Sequence, residues 1–214
     1  LDVLLDNLGT FAEGVATTVE LTTLSFLGAL AISLVIVTFR VSPVRPLRLF
    51  GTAYVEVFQN VPLLLWILFF VFGLPKLGIR FELFTTAVLA VAMYSAAYYA
   101  EALRTGINTV AAGQAEAARA LGLGFGQSLR WVVLPQALRS VVQPLGNLTV
   151  MLLMNTALAA GAGLVELSTA ANRVNLVEAE PILIFSGAAV VYALLALLIT
   201  TATRLLERRL VIHR

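Results

Sequence analysis

Apolar residues in this chain fall in long unbroken stretches rather than in alternation. The first, "ATTVELTTLSFLGALAISLVIVTF", covers 16–39. Four more cover roughly 50–72, 83–103, 136–157 and 181–203. A helix that crosses a bilayer needs about 20 such residues, and each stretch has that length. Period-two alternation, the mark of a membrane barrel strand, is missing. The pattern predicts five transmembrane helices and an all-α integral membrane protein. Residues 1–15 place their apolar positions on one helix face, which predicts an interfacial helix. The polar stretch 158–180 contains "ELSTAANRVNLVEAE" and predicts a short helix outside the bilayer.

Composition narrows this further. Hydrophobic residues make up 60% of the 214 positions and charged residues 12%. A soluble domain carries roughly 25% charged residues, so too little polar surface exists here to face water on all sides. No room is left for a large soluble domain. Cysteine is absent, which excludes disulfides, thiol catalysis and cysteine metal sites. The one histidine, His213, has no partner and reads as a solvated residue, so no metal ligand set is expected. Arginines flanking membrane helices account for the small positive charge without a nucleic acid. The first apolar stretch is too long for a leader's apolar core and follows no basic run, so a span is expected there.

Arginine placement predicts orientation. Arg40, Arg45 and Arg48 lie between spans one and two. Arg104, Arg119 and Arg130 lie between three and four, with Arg139 just inside span four, and Arg204, Arg208, Arg209 and Arg214 follow span five. The opposite loops hold only Lys76, Arg80 and Arg173, and collect Asp2, Asp6, Glu13, Glu82, Glu166, Glu178 and Glu180. The bias predicts an outside N-terminus, a cytoplasmic C-terminus and a cytoplasmic loop between spans three and four. No internal repeat is visible, so a transport path would need a second copy or a paralogue.

That cytoplasmic loop, 110–126, interrupts the apolar pattern. From Gly113 to Leu121 most residues are strong helix formers, and Gly122 supplies a stop. So short a helix is marginal alone and needs a surface to pack on. Small alanines permit close approach, and Glu116 and Arg119 add polar handles three residues apart. An amphipathic connector resting on the bilayer is the ordinary alternative. The spacing is more specific. Glu116-Ala117-Ala118 is followed by three residues, Gly122, nine residues, Val132, one residue and Leu134-Pro135. This resembles the EAA motif of ABC importer permeases, EAA-x3-G-x9-I-x-LP, with Val in place of Ile. The segments "RVSPVRPLR" (40–48), "AEALRTGINTVAAGQAEAARALGLGFG" (100–126), "LPQALR" (134–139) and "PLGN" (144–147) are similar to the polar amino acid subfamily, and in wording to actinobacterial glutamate-type permeases.

The resemblance implies a type I ABC importer permease fold, one permease domain over 1–214, and residence in the bacterial cytoplasmic membrane. It implies a dimer with a second permease subunit, a heterodimer before a homodimer. It also implies a cytoplasmic ATPase dimer that binds ATP and Mg, an extracellular solute-binding protein, and a polar amino acid substrate such as glutamate. The EAA loop of such permeases is a coupling helix seated in a cleft of the ATPase. That role falls here on Glu116, Ala117, Ala118 and Gly122, with Gln114, Arg119 and Leu121 beside them. Methionine or another small solute is the alternative cargo, and an ion-coupled secondary carrier the alternative class.

Polar groups inside spans mark candidate path residues, because an ionisable side chain there faces a cavity or a partner. Glu20 lies near the outer end of span one, and Glu56 in the inner half of span two. Glu101 stands three residues before Arg104, a spacing that allows an intrahelical ion pair at the helix end. In span two, "QNVP" (59–62) brings Gln59 and Asn60 beside Pro62, which breaks the hydrogen-bond ladder. This is either a broken helix that meets substrate or a kink with satisfied amides. In span four, Asn147, Met151 and Met154 share a face, followed by Asn155 and Thr156. That face is either a cavity wall or a packing seam. Related permeases often carry Arg at Gln59 and Lys at Met154. Their absence implies either a half that engages substrate less, or a preference for neutral or basic amino acids. No phosphate-binding GxxxxGK[ST] and no nucleophile–base pair occurs. "GLGFG" (122–126) follows no strand, so ATP hydrolysis falls to the partner.

Overall fold

A computed structural model describes residues 2–210; His213 and Arg214 lie outside the described residues. Those residues form a helical bundle. Helix α1 (Asp2–Asp6) leads into α2 (Leu8–Arg40), then α3 (Arg45–Asn60) and α4 (Leu63–Leu68), which continues through a π turn and a 3-10 turn to Leu77. Next come α5 (Leu83–Asn108), α6 (Ala112–Ala120) and α7 (Phe125–Ser128). The π turn Leu129–Val133 precedes α8 (Leu134–Asn155), and the 3-10 segment Thr156–Ala162 precedes α9 (Leu167–Glu178) and α10 (Pro181–Leu210).

Among the described residues, four helices are long and apolar enough to cross a membrane, and a fifth crossing would be the pair α3–α4, bent by 103°. Helix direction shows that the bent pair covers one traverse. Leu21 packs with Ala87 at one end of the bundle, and Val37 with Leu103 at the other. Helices α2 and α5 therefore run parallel, and residues 41–82 must return the chain along the bundle. Helix α8 runs antiparallel to α5, because Tyr99 meets Thr149 while Gly106 meets Ser140. Helix α10 runs antiparallel to α8. Val142, Leu145 and Thr149 lie beside Ile199, Ala202 and Leu206, whereas Met154 lies beside Ala189 and Tyr192. One end of the bundle thus carries Arg40, Glu101, the loop 109–133 and the end of α10. The opposite end carries α1, the start of α2, and α9.

Small residues set the central packing. Helix α2 buries Ser25, Ala29 and Ser33, and α5 buries Ala87, Ala90, Ala96 and Ala100, where the two helices pack together. Small side chains let membrane helices approach closely, where dispersion replaces the missing hydrophobic drive. The Ser25 hydroxyl donates across the seam to the Val88 carbonyl at 3.4 Å.

The bend in span two is sharper than a kink. Helix α3 stops at Asn60, and Val61 and Pro62 are extended, with ψ of 131° and 137°. Proline offers no amide hydrogen and disfavours helical geometry in the residue before it. The corner is then held by stacking of Phe58 on Trp66, 4.4 Å between centroids and 24° between planes.

The expected interfacial helix over residues 1–15 is corrected. Only Asp2–Asp6 is separate; residues from Leu8 onward are continuous with α2. Phe11 is buried with Leu167, Val174 and Ile184, so this apolar face meets α9 and α10 rather than lipid. The short helix expected within 158–180 is α9.

Candidate functional site

Two features stand out at the arginine-bearing end. The first is the loop helix α6. Its N-terminus has no side-chain cap. Its C-terminus is a Schellman closure: Gly122 N–H donates to Arg119 O at 2.9 Å and Leu123 N–H to Ala118 O at 3.1 Å. The closure needs Gly122 in the left-handed region, at φ +84°, where a side chain is strained. Gln114, Glu116, Ala117 and Arg119 are exposed, and Leu121 is 83% exposed. Ala118 is the buried one, at 3%. Trp131, in the following π turn, is 66% exposed and carries the Arg130 guanidinium 5.1 Å from its ring centroid. An apolar leucine and a tryptophan thus stand open beside a helix that, among its described side chains, buries only Ala118.

The second feature is a cleft of about 360 Å³ between α3, α5 and α8, running from mid-bundle to the loop end. Gln59, Tyr98, Glu101, Asn147, Ser140 and Pro144 are among its lining residues. Gln59 donates to the Ala97 carbonyl at 3.4 Å, which leaves its own carbonyl free to accept. The Asn147 amide is exposed, and the Tyr98 hydroxyl lies 3.0 Å from that of Tyr94. Glu101 is paired twice: Arg104 forks onto both carboxylate oxygens and Arg40 donates to Oε2. Most of its exposed lining is apolar carbon, with the Gln59 and Asn147 amides and the Tyr98 hydroxyl as scattered polar groups, and no nucleophile stands beside a base among them.

The candidate path residues separate. Gln59 and Asn147 meet at this cleft, together with Glu101. Glu56 and Asn60 are exposed on α3 outside the cleft lining, and the Asn60 amide donates to the Glu56 carbonyl at 2.7 Å. Glu20 is exposed on α2. Met154, 43% exposed, borders a groove against α10. Met151 and Asn155 are half-buried, so the Asn147–Met154 stripe is no seam within this chain. Thr156 is fully buried in this chain and donates to Leu153 O at 2.7 Å, outside the cleft lining. Tyr98 was missing from the sequence reading, although Tyr94, Tyr98, Glu101 and Thr105 share one face at helical spacing. Arg40 had counted only as a loop charge. Among the described residues no group of three or more metal-binding side chains gathers.

A bundle of helices long and apolar enough to cross a membrane, with a mid-depth cleft and an exposed loop helix, is an architecture suited to membrane transport. The chain belongs to the family of binding-protein-dependent transport system inner membrane components, whose model matches residues 28–212. It is 32% identical over 213 residues to a probable glutamine ABC transporter permease of Bacillus subtilis, covering 98% of this chain and 97% of that one. It is 44% identical over 163 residues to a glutamate transport system permease of Corynebacterium glutamicum, covering 71% of this chain and 72% of that one. Its fold matches a crystal structure of an amino acid ABC transporter with histidines, at a TM-score of 0.89 and 31% identity over 96% of both chains. An inward-facing methionine ABC transporter, 19% identical at a TM-score of 0.77 and covering 96% of this chain and 98% of that one, shares the fold. The chain is therefore a multi-pass inner membrane permease subunit of an ABC amino acid importer. It is a non-catalytic part without a cofactor, in a complex whose ATPase binds ATP.

Proposed function

We propose that α6 is the coupling element that seats on the partner ATPase, and that the bundle end bearing it faces the cytoplasm. The N-terminus and α9 then lie outside. The observation that carries this reading is α6 itself. It holds the Glu116-Ala117-Ala118-x3-Gly122 spacing, buries only Ala118 among its described side chains, and shares its end with the clustered arginines. Cytoplasmic loops of membrane proteins are enriched in arginine, which supports the orientation.

The cleft of Gln59, Tyr98 and Asn147 forms this subunit's share of the path. The cargo is a polar amino acid. Glutamate is supported by the 44% identity to a glutamate permease, and glutamine by the full-length similarity to a probable glutamine permease. Methionine is supported by fold likeness alone. The second permease subunit is a different chain, and a solute-binding protein delivers cargo from outside. Nucleotide-dependent contacts on α6 shift the bundle between inward and outward states, since only a differential contact can move such an equilibrium.

The test is co-purification and uptake. The intact importer, reconstituted with its partner permease, ATPase and binding protein, should take up labelled glutamate or glutamine. Glu116→Lys and Gly122→Val should strip the ATPase from the membrane subunits. A full complement of ATPase on both variants overturns the docking role of α6.

A further inference from the structure

Among the described residues, two ion pairs occur, and both converge on Glu101. Arg104 is one turn further along the same helix. Arg40 comes from 61 positions away, at the last turn of α2. We infer that Glu101 is a positioning residue that carries movement of the loop helix α6 into α2 and into the cleft wall, through Arg40. This rests on the reading of α6 as the docking element.

The loop 109–133 hangs between the end of α5 and the start of α8. Those two ends are joined tightly. Gly106 of α5 lies directly on Val141 of α8, with no space for a side chain. The Ser140 hydroxyl, 2.8 Å from the Ala137 carbonyl of its own helix, also lies within donating distance of the Gly106 carbonyl, at 3.2 Å. A displacement of α6 therefore moves both ends as one body. The α2–α5 seam at this end is apolar, with Ile36 and Val37 against Ala97, Ala100 and Leu103, and among the described residues its polar lock is Arg40–Glu101. Apolar contacts carry no directional bond; a charge-assisted hydrogen bond between neighbouring helices does, and resists sliding.

The cost of the pair argues against a purely local role. Anchoring the end of α5 needs only Arg104. The Arg40 side chain is 14% exposed, and burying a guanidinium is expensive for little net stability. Room is made for it: a Cβ on Gly51 of α3 would lie 2.8 Å from Arg40 Cγ and 3.2 Å from the Arg40 backbone nitrogen. Three helices are thus shaped to deliver Arg40 to one carboxylate, and that carboxylate also lines the cleft.

The experiment compares Arg40→Gln, Arg40→Lys and Arg104→Gln in the complete reconstituted importer, reading uptake, ATP hydrolysis and ATPase content together. A transmission role predicts that Arg40→Gln keeps its ATPase and its basal hydrolysis while uptake per ATP falls about tenfold, a size typical of coupling between sites. Arg40→Lys should restore most of it. Arg104→Gln should stay within about twofold, because its partner is on the same helix. A helix-end anchor predicts the reverse order. Wild-type uptake per ATP in Arg40→Gln, or an equal loss in Arg104→Gln, overturns the inference. A wild-type complex that binds no ATPase refutes the docking reading of α6 instead. Glu101→Gln serves as the matching variant from the other side, and if it does not assemble the Arg40 pair alone gives the answer.

Discussion

Helices α6 and α9 are short, of 9 and 12 residues, and sit at opposite ends of the same bundle. They are built in opposite ways. Helix α9 buries Leu167, Ala170, Ala171 and Val174. Its first turn is capped by Glu166, which is fully buried and accepts from Ser168 N–H at 2.9 Å, Thr169 N–H at 2.8 Å and the Tyr192 hydroxyl at 2.6 Å. Thr18 of α2 accepts from Leu167 N–H at 3.1 Å. Two of these bonds close the first turn of α9 on itself, and the other two, from Tyr192 and to Thr18, join it to α10 and α2. Helix α6 has no side-chain cap at its start and, among its described side chains, buries only Ala118. An isolated helix of that length is marginal in water, which is why docking on a partner is proposed for α6. The difference separates an element that is tied into its own bundle from one left largely open at the bundle's end.

The two helix ends differ in the same sense. Both stop at a left-handed residue, Gly122 at φ +84° after α6 and Ala179 at φ +54° after α9. Glycine takes that geometry without strain; alanine costs about 1–2 kcal/mol there. The well-packed α9 tolerates that strain, whereas the loosely held α6 ends on the residue that avoids it.

The comparison can be broken most strongly at Glu166. Replacing it with alanine strands two buried amides and a tyrosine hydroxyl, and should cost about 3 kcal/mol or more, seen as a lower melting midpoint in detergent. A change no larger than that of an α6 variant would deny that α9 is fixed by its cap. Next in size is Gly106→Val, which sharpens the contrast by testing the root of the loop rather than its tip. Overpacking against Val141 and Ser140 should cost about 2 kcal/mol by the same melt, with α6 itself untouched.

Smaller effects are expected at the two left-handed stops. Ala179→Gly should stabilise the protein by about 1 kcal/mol, since it relieves φ strain in a packed helix. Gly122→Ala should weaken α6 by a similar amount, about 1 kcal/mol, yet leave the global melt unmoved while ATPase co-purification drops. The smallest stability change belongs to Leu121→Ser, under about 0.5 kcal/mol for so exposed a side chain. Its effect should appear only as weaker ATPase retention in pull-down. A clear fall in the melt for Leu121→Ser would mean that α6 packs on its own bundle after all.

Much of the architecture was legible because hydropathy and charge act locally. Each apolar stretch is long enough to cross a bilayer without help from its neighbours, so the five traverses could be counted one at a time. Gly122 could be read as a stop because the left-handed residue of a Schellman closure favours glycine whatever surrounds it. Pro62 announced a break, but its 103° angle depends on Phe58 and Trp66 stacking across the corner, a contact between two helices. Glu166 lay in a polar stretch and looked like a surface charge; only the arrival of Tyr192, 26 residues away, makes it a buried cap.

The polar residues within spans show the same limit. Asn147 and Thr156 looked alike in the sequence, both small polar groups on span four. One is exposed beside the cleft and the other is fully buried against its own helix. Which way a side chain faces depends on how its helix is rotated, and rotation is settled by all neighbouring helices at once. The sequence by itself determined the traverses, the charged end of the bundle and the short loop helix, because chain-local free energies of transfer and helix closure are enough for these. Only the tertiary structure decided that Gln59, Tyr98 and Asn147 share one cleft and that Arg40 reaches Glu101, because distant residues meet only when the packed bundle brings their helices together.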